Sequence, residues 1–267
     1  MTKKTLGAMV LMAMIAVTAS ATVEIVATHA VFGEIATIVG GETVDVTTII
    51  PSGFCPSHYD LSPSDLSALL RADLVLYSGM EPWVEQLTDT VGEGALVQLV
   101  GPWNTPPMAA AKTQQIADLV TEQVPEHAEL IEANRDAYVA QLDELGERLL
   151  AEAAALEIGE IPVVCMQWQA SFVSWLGFQV PVTYGIPDTL SLRDLVELAE
   201  AGTEAGAVLV IDNLQSGIEF GGKLAREVDA VHVVLSNFPG AMPRTATLID
   251  LLARNAAALF TAIEPIE

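Results

Sequence analysis

Two cysteines and four histidines carry most of the chemistry this chain could perform. Cys55 and His58 fall together in PSGFCPSHYDLSP, a stretch whose proline, glycine and serine content marks a loop. An imidazole held in such a loop is a ready ligand for a metal ion, and His58 is the residue expected to hold one. Cys165 ends an apolar run, IPVVCM, beside Met166. In an oxidising exterior the two cysteines could instead close one structural disulfide. His29 ends the first apolar run, where it could orient a ligand by a hydrogen bond. His127 is expected in solvent on a charged helical segment, and His232 in a strand as a core residue. The chain has no serine nucleophile elbow, H-E-x-x-H, Cys-x-x-Cys or G-x-G-x-x-G after its first strand, so a binding protein is expected and not an enzyme.

The elements that must position these residues alternate. Apolar runs at 23–30, 42–50, 72–79 and 95–100 read as strands, separated by helical patterns at 31–39, 63–71 and 81–90 and followed by another at 108–123. Ser62, Pro63 and Asp65 form a helix-start signal that fixes the end of the His58 loop. The alternation restarts with strands at 161–166, 178–185, 207–213 and 230–237, and closes with a helix from Thr245. Between the two sets lies a long charged segment in which Ile131, Tyr138, Leu142, Leu145 and Leu149 form one apolar stripe. At about 1.5 Å per residue it makes a rod of roughly 45 Å, long enough to run along two small lobes. The expected fold is therefore α/β: two parallel-sheet lobes (22–125 and 159–267) joined by a rigid backbone helix (126–158), with a ligand cleft between them.

Residues 1–21 carry Lys3 and Lys4, an apolar run and Ala19-Ser20-Ala21, the pattern of a secretory signal that is too short to read as a membrane span. The mature protein is expected to be extracytoplasmic, without a lipid-acceptor cysteine after the signal. The chain is 51% apolar but only 6% aromatic, which suits Ala, Val and Leu filling helices and parallel strands. Its net charge of −24 would repel nucleic acid and anionic membrane.

Several motifs then converge: Gly40-Gly41 before a valine-rich strand, the P-x-G…P-x-H-Y loop with its Ser/Pro-Asp helix start, ADLVLYSG, and EPWVEQL. Together they make the chain resemble the zinc/manganese ABC-transporter solute-binding proteins along its whole mature length. The resemblance implies two α/β lobes on a long helix, a metal cargo of zinc or manganese, and partners in an ABC permease and its ATPase. It also implies four metal-holding side chains, of which His58 matches the first. The second should fall in GPWNTPP, where Trp103 and Asn104 stand in place of a histidine. Spacing to Gly177 puts Met166 at the third, and Asn237 stands where the fourth is usually a carboxylate.

Soft donors on the loops expected to face each other offer a different site, Cys55, His58, Cys165 and Met166, which would favour copper. Three other outcomes stay open. The cysteines could bridge the lobes. Cys165 and Met166 could be core residues. Or the ligand could be a chelate or small organic molecule held by Trp103, Trp168 and the amides of Asn104, Asn213 and Asn237. A metal-free binding or adhesion module is the reading from another class. IDNLQSG (211–217), directly after a strand, is expected either at the cleft or as a turn capping the next helix.

Overall fold

The structure is a computed structural model and describes residues 22–87, 91 and 95–264. The expected signal segment lies outside them. The N-terminal lobe holds β1 (Val23–Ala27), α1 (Ala30–Gly40), β2 (Val44–Thr48), α2 (Pro63–Leu69), β3 (Leu74–Tyr77) and β4 (Leu96–Gln98). Its sheet has the order β2-β1-β3-β4, all parallel, with Ile25 opposite both Val46 and Leu74. The central strand β1 is buried along nearly its whole length, as parallel strands covered on both faces must be.

Helix α3 (Pro106–Gln123) starts two residues earlier than its apolar pattern suggests. The reason is local: the Thr105 hydroxyl accepts from Met108 N, and Pro106 fills a helix-start position that needs no N–H. A second difference lies at 81–90, expected to be helical. Its described residues form a single 3-10 turn, Val84–Leu87, tied by Val84 N to Glu81 O and Gln86 N to Trp83 O. Trp83, Val84 and Leu87 all turn into the core there, on the spacing a helix face would also bury.

Helix α4 (Ala128–Ala155) is the expected rod. Its buried stripe is Ile131, Tyr138, Leu142, Leu145, Leu149 and Ala153. These side chains join the apolar interiors of both lobes into one continuous core, from Ile25 and Phe32 to Val163, Phe172 and Leu209. At about 25 cal/mol per Å² of apolar surface, such shared burial makes lobe and helix one cooperative unit.

The C-terminal lobe repeats the plan with β5 (Pro162–Met166), α5 (Ala170–Leu176), β6 (Gln179–Tyr184), α6 (Leu192–Glu204), β7 (Leu209–Asn213), α7 (Glu219–Val228), β8 (Val231–Leu235) and α8 (Leu248–Ile263). Its order is β6-β5-β7-β8, again parallel. Capping boxes start α2 (Ser62, Asp65), α6 (Ser191, Asp194) and α8 (Thr247, Asp250). The start of α8 also reaches back to the other lobe: Leu248 N donates to the Glu34 carboxylate at 2.9 Å, and Tyr138 OH to its Oε1 at 3.2 Å.

Candidate functional site

The carboxyl ends of both sheets face one another across a cavity of about 400 Å³. Segments at the ends of six strands build it: Ser78 and Met80 after β3, Gly101 to Asn104 after β4, Gln167 and Trp168 after β5, Asn213, Gln215 and Ser216 at the end of β7, Asn237 and Phe238 after β8, and one more after β2. Cys55 and Pro56 come from the loop after β2, and Ser171 from α5. Ligand loops gather at the strand ends of parallel sheets for this topological reason. No Asp, Glu, Lys, Arg or His lines the cavity among the described residues.

Hydrogen bonds hold the floor and tie the lobes across it. Trp103 Nε1 donates to Asn237 O at 3.1 Å, Asn104 Nδ2 to Trp168 O at 3.0 Å, and Gln215 Nε2 to Ser52 O at 2.9 Å. Beneath the floor, Gln169 Nε2 donates to both Asn213 Oδ1 (2.9 Å) and Asn237 Oδ1 (3.0 Å). Asn104 Oδ1 accepts from Ser171 Oγ at 2.9 Å. The buried Lys112 donates to Val100 O at 2.7 Å and so tacks down the loop that carries Trp103 and Asn104. Desolvation lowers its pKa from the ordinary lysine value.

Of the residues singled out in the sequence, Cys55, Trp103, Asn104, Trp168, Asn213 and Asn237 line the cavity. His58 does not: it is exposed and absent from the lining. Its loop folds as a 3-10 turn, Pro56–His58, with His58 N bonded to Cys55 O. That turn is followed by Tyr59, whose hydroxyl donates to Asp65 Oδ2 in the α2 capping box. Cys55 and Pro56 therefore face the cavity while His58 is left outside it.

Cys165 and Met166 also lie away from the cavity lining, as core residues, one of the outcomes open for them. As neighbours on β5 they point to opposite faces of the sheet, Cys165 into the main core and Met166 into a separate cluster with Tyr184 and Leu224. Both are fully buried. The Met166 sulfur accepts a hydrogen bond from Trp168 N at 3.2 Å, and the Cys165 thiol donates to Met166 O. Burial, with the nearby Asp212 carboxylate second, pushes that thiol far above its ordinary pKa, which opposes the thiolate a metal needs. The four-donor set of Cys55, His58, Cys165 and Met166 does not assemble, and no group of three or more His, Cys, Asp or Glu suited to a metal occurs among the described residues. The cysteines are also not bridged: Cys55 is half-buried and Cys165 buried, both as free thiols.

His29 is wholly buried behind the cavity wall. Phe32, Trp103 and Phe238 surround it at ring separations of 3.9, 4.6 and 5.0 Å. Neither ring nitrogen has a hydrogen-bond partner among the described residues. Desolvation, then repulsion from Lys112, brings its pKa down to about 3, so the ring is neutral. His127 ends a 3-10 turn before α4 and is half-buried, not on the helix in solvent. His232 is half-buried, with Nε2 at 2.7 Å from the buried Asp212 carboxylate, which also takes the Tyr184 hydroxyl. Helix α7 can approach Asp212 because residue 221 is glycine; a Cβ there would overlap the carboxylate.

Sequence reasoning missed Gln167, which lines the cavity, and Gln169 beneath it, and it placed Gln215 and Ser216 only as part of the segment 211–217. The signal was present in MQWQ and NLQS, polar side chains placed directly after buried strands. The segment IDNLQSG does both things expected of it, lining the cleft through Asn213, Gln215 and Ser216 and forming the 3-10 turn Leu214–Ser216 ahead of α7.

Comparison with known proteins agrees with this architecture. The crystal structure of ZnuA superposes with a TM-score of 0.73 at 21% identity, covering 91% of this chain and 99% of the other. A periplasmic metal binding protein from candidatus Liberibacter asiaticus gives 0.80 at 16% identity, covering 91% and 100%. In sequence, the manganese-binding lipoprotein MntA of Bacillus subtilis is 26% identical over 206 residues, 68% of this chain and 67% of that protein. MntA of Halalkalibacterium halodurans is 27% identical over 142 residues, 46% of this chain and 47% of that protein. The match thus spans between about half and two thirds of these relatives' length. No helix among the described residues is long and apolar enough to cross a membrane. The family profile described as zinc-uptake complex component A, periplasmic (ZnuA), matches residues 25–101 and 102–262, and the chain belongs to that family.

Proposed function

We propose that this chain is the extracytoplasmic solute-binding component of a metal ABC importer, capturing its cargo between the lobes and presenting it to a permease driven by an ATPase. The observation that carries this reading is the cavity itself, built from strand-end segments of both lobes. Zinc, manganese and iron appear in the names of similar proteins, and these are the metals to test first. Among the described residues the lining holds no Asp, Glu, His or Lys to act as general acid or base or to activate its Cys55 thiol and serine hydroxyls, which suits binding and not catalysis.

The test is uptake. Deleting the chain from the producing cell should lower accumulation of radiolabelled zinc, manganese or iron, and re-expression should restore it. Unchanged accumulation of all three would overturn the reading.

A further inference from the structure

We infer that the cleft recognises an uncharged organic surface with a flat ring face, so that a metal cargo enters wrapped in an organic shell and not as a bare ion. This rests on the cleft being the cargo site.

Size is the first argument. The cavity of about 400 Å³ falls within the range of roughly 300–1,000 Å³ typical of small organic ligands. A bare zinc ion draws its ligands to about 2.0–2.3 Å and would leave most of that space empty. Charge is the second. A desolvated dication needs several anionic or imidazole ligands, and among the described residues the lining holds no Asp, Glu or His and a single thiol, Cys55, too few to hold a bare ion. His58, which could have supplied one, is outside.

The third argument is the state of the amides. The oxygens of Asn104, Asn213, Asn237 and Gln215 already accept hydrogen bonds from Ser171, Gln169 or Asn237 N, which commits one lone pair of each. Asn237 Nδ2 and the Trp168 indole N–H make no hydrogen bond among the described residues. At Asn237 and Trp168 the cleft therefore offers donors to a ligand's acceptor atoms, while the unpartnered amide oxygen nearby, Gln169 Oε1, is buried beneath the floor. Finally, Trp168 is 42% exposed on the cavity wall, opposite a lobe that contributes Met80, Pro102 and Trp103. Aromatic and thioether surfaces of this kind bind rings.

The experiment titrates the full chain, and Trp168→Ala, with four probes followed by tryptophan fluorescence and saturation-transfer NMR. The probes are zinc chloride, manganese chloride, the uncharged chelate zinc bis(picolinate), and a set of neutral aromatic fragments headed by picolinamide. Trp168 is partly exposed on the wall and its hydrogen bonds run through backbone atoms that alanine keeps, so the variant should fold, and its melting temperature is checked first. The chelate or the neutral rings should bind, about tenfold or more weakly in Trp168→Ala, while the chlorides should leave the protein unchanged. Binding by the chelate alone identifies a wrapped metal. Binding by the metal-free rings alone keeps the inference and counts against a metal cargo. Stoichiometric binding of either chloride without any ring binding would overturn the inference and leave metal capture standing. No binding by any probe would also overturn it, with the uptake assay still judging the transport role.

Discussion

The two lobes share a strand plan but divide the work of the cleft. The N-terminal lobe presents mostly apolar surface, through Pro56, Met80, Pro102 and Trp103, whereas the C-terminal lobe presents amides and hydroxyls, through Gln167, Asn213, Gln215, Ser216 and Asn237. Each lobe also buries one carboxylate behind its strand ends, and they are satisfied differently. Glu81 accepts from Thr28 Oγ1 and from Ser78 and Gly79, including two backbone N–H groups. Asp212 accepts from the Tyr184 hydroxyl and faces the His232 ring. A carboxylate that ties backbone together fixes a loop, while one that ties side chains together fixes only their rotamers. The N-terminal wall should therefore depend more on its acid than the C-terminal wall does.

The largest expected effect breaks that comparison directly. Glu81→Ala strips partners from several buried donors at once and should cost about 3–5 kcal/mol, read by urea unfolding. Asp212→Asn keeps an acceptor for Tyr184 and should cost no more than about 2 kcal/mol. Equal costs for the two would remove the distinction. Both variants should still show one transition, because α4 joins the lobes in a single core.

His29 gives the next effect, and it has a pH signature. Its folded pKa of about 3 lies below the ordinary 6.5. Above 6.5 the ring is neutral in both states and stability is complete. Below that the unfolded chain takes up the proton first, so stability should fall by about 1.4 kcal/mol per pH unit as the pH drops from 6.5 towards 3. His29→Phe, which keeps the ring packing and removes the unpartnered nitrogens, should abolish this component of the slope. It should also add about 1–3 kcal/mol at pH 7, measured by urea unfolding at each pH. A variant with the wild-type slope would show that the imidazole is not the group responsible.

Smaller effects sharpen the division of labour at the cleft. Trp103→Phe removes the bond to Asn237 O together with part of the ring packed on His29 and Phe238, and should cost about 1–3 kcal/mol. Faster amide exchange at Asn237 is the accompanying readout. If exchange there is unchanged, the bond across the lobes is not what holds them. Gln169→Leu frees the oxygens of Asn213 and Asn237 and should cost about 1 kcal/mol, while loosening ring binding seen by NMR.

Much of the fold was legible because its signals are local. The stripe from Ile131 to Leu149 is a helical period, Ser62, Pro63 and Asp65 are a cap, and eight apolar runs with helices between most of them imply parallel sheets. The failures were also specific. The 81–90 segment has helical composition and buries Trp83, Val84 and Leu87 at helical spacing, yet its described residues form a lone 3-10 turn. The cap at Thr105 is hard to read because Pro106 and Pro107 look like loop.

For the site, sequence alone determined which strand-end loops would meet and that Trp103, Asn104, Trp168, Asn213 and Asn237 sat on them. It also determined the acidity of the chain and its scarcity of histidine and cysteine. Only the tertiary structure decided which side chains face inward. His58 was turned out by a one-turn helix oriented through Tyr59 and Asp65, and the alternation of β5 sent Cys165 and Met166 to opposite faces, both buried. Gln169 became the organiser of the floor through partners 44 and 68 residues away. Caps and periods are set within a few residues, but the direction of a side chain in a cleft is set by contacts between distant segments, and those exist only once both lobes have closed on the same helix.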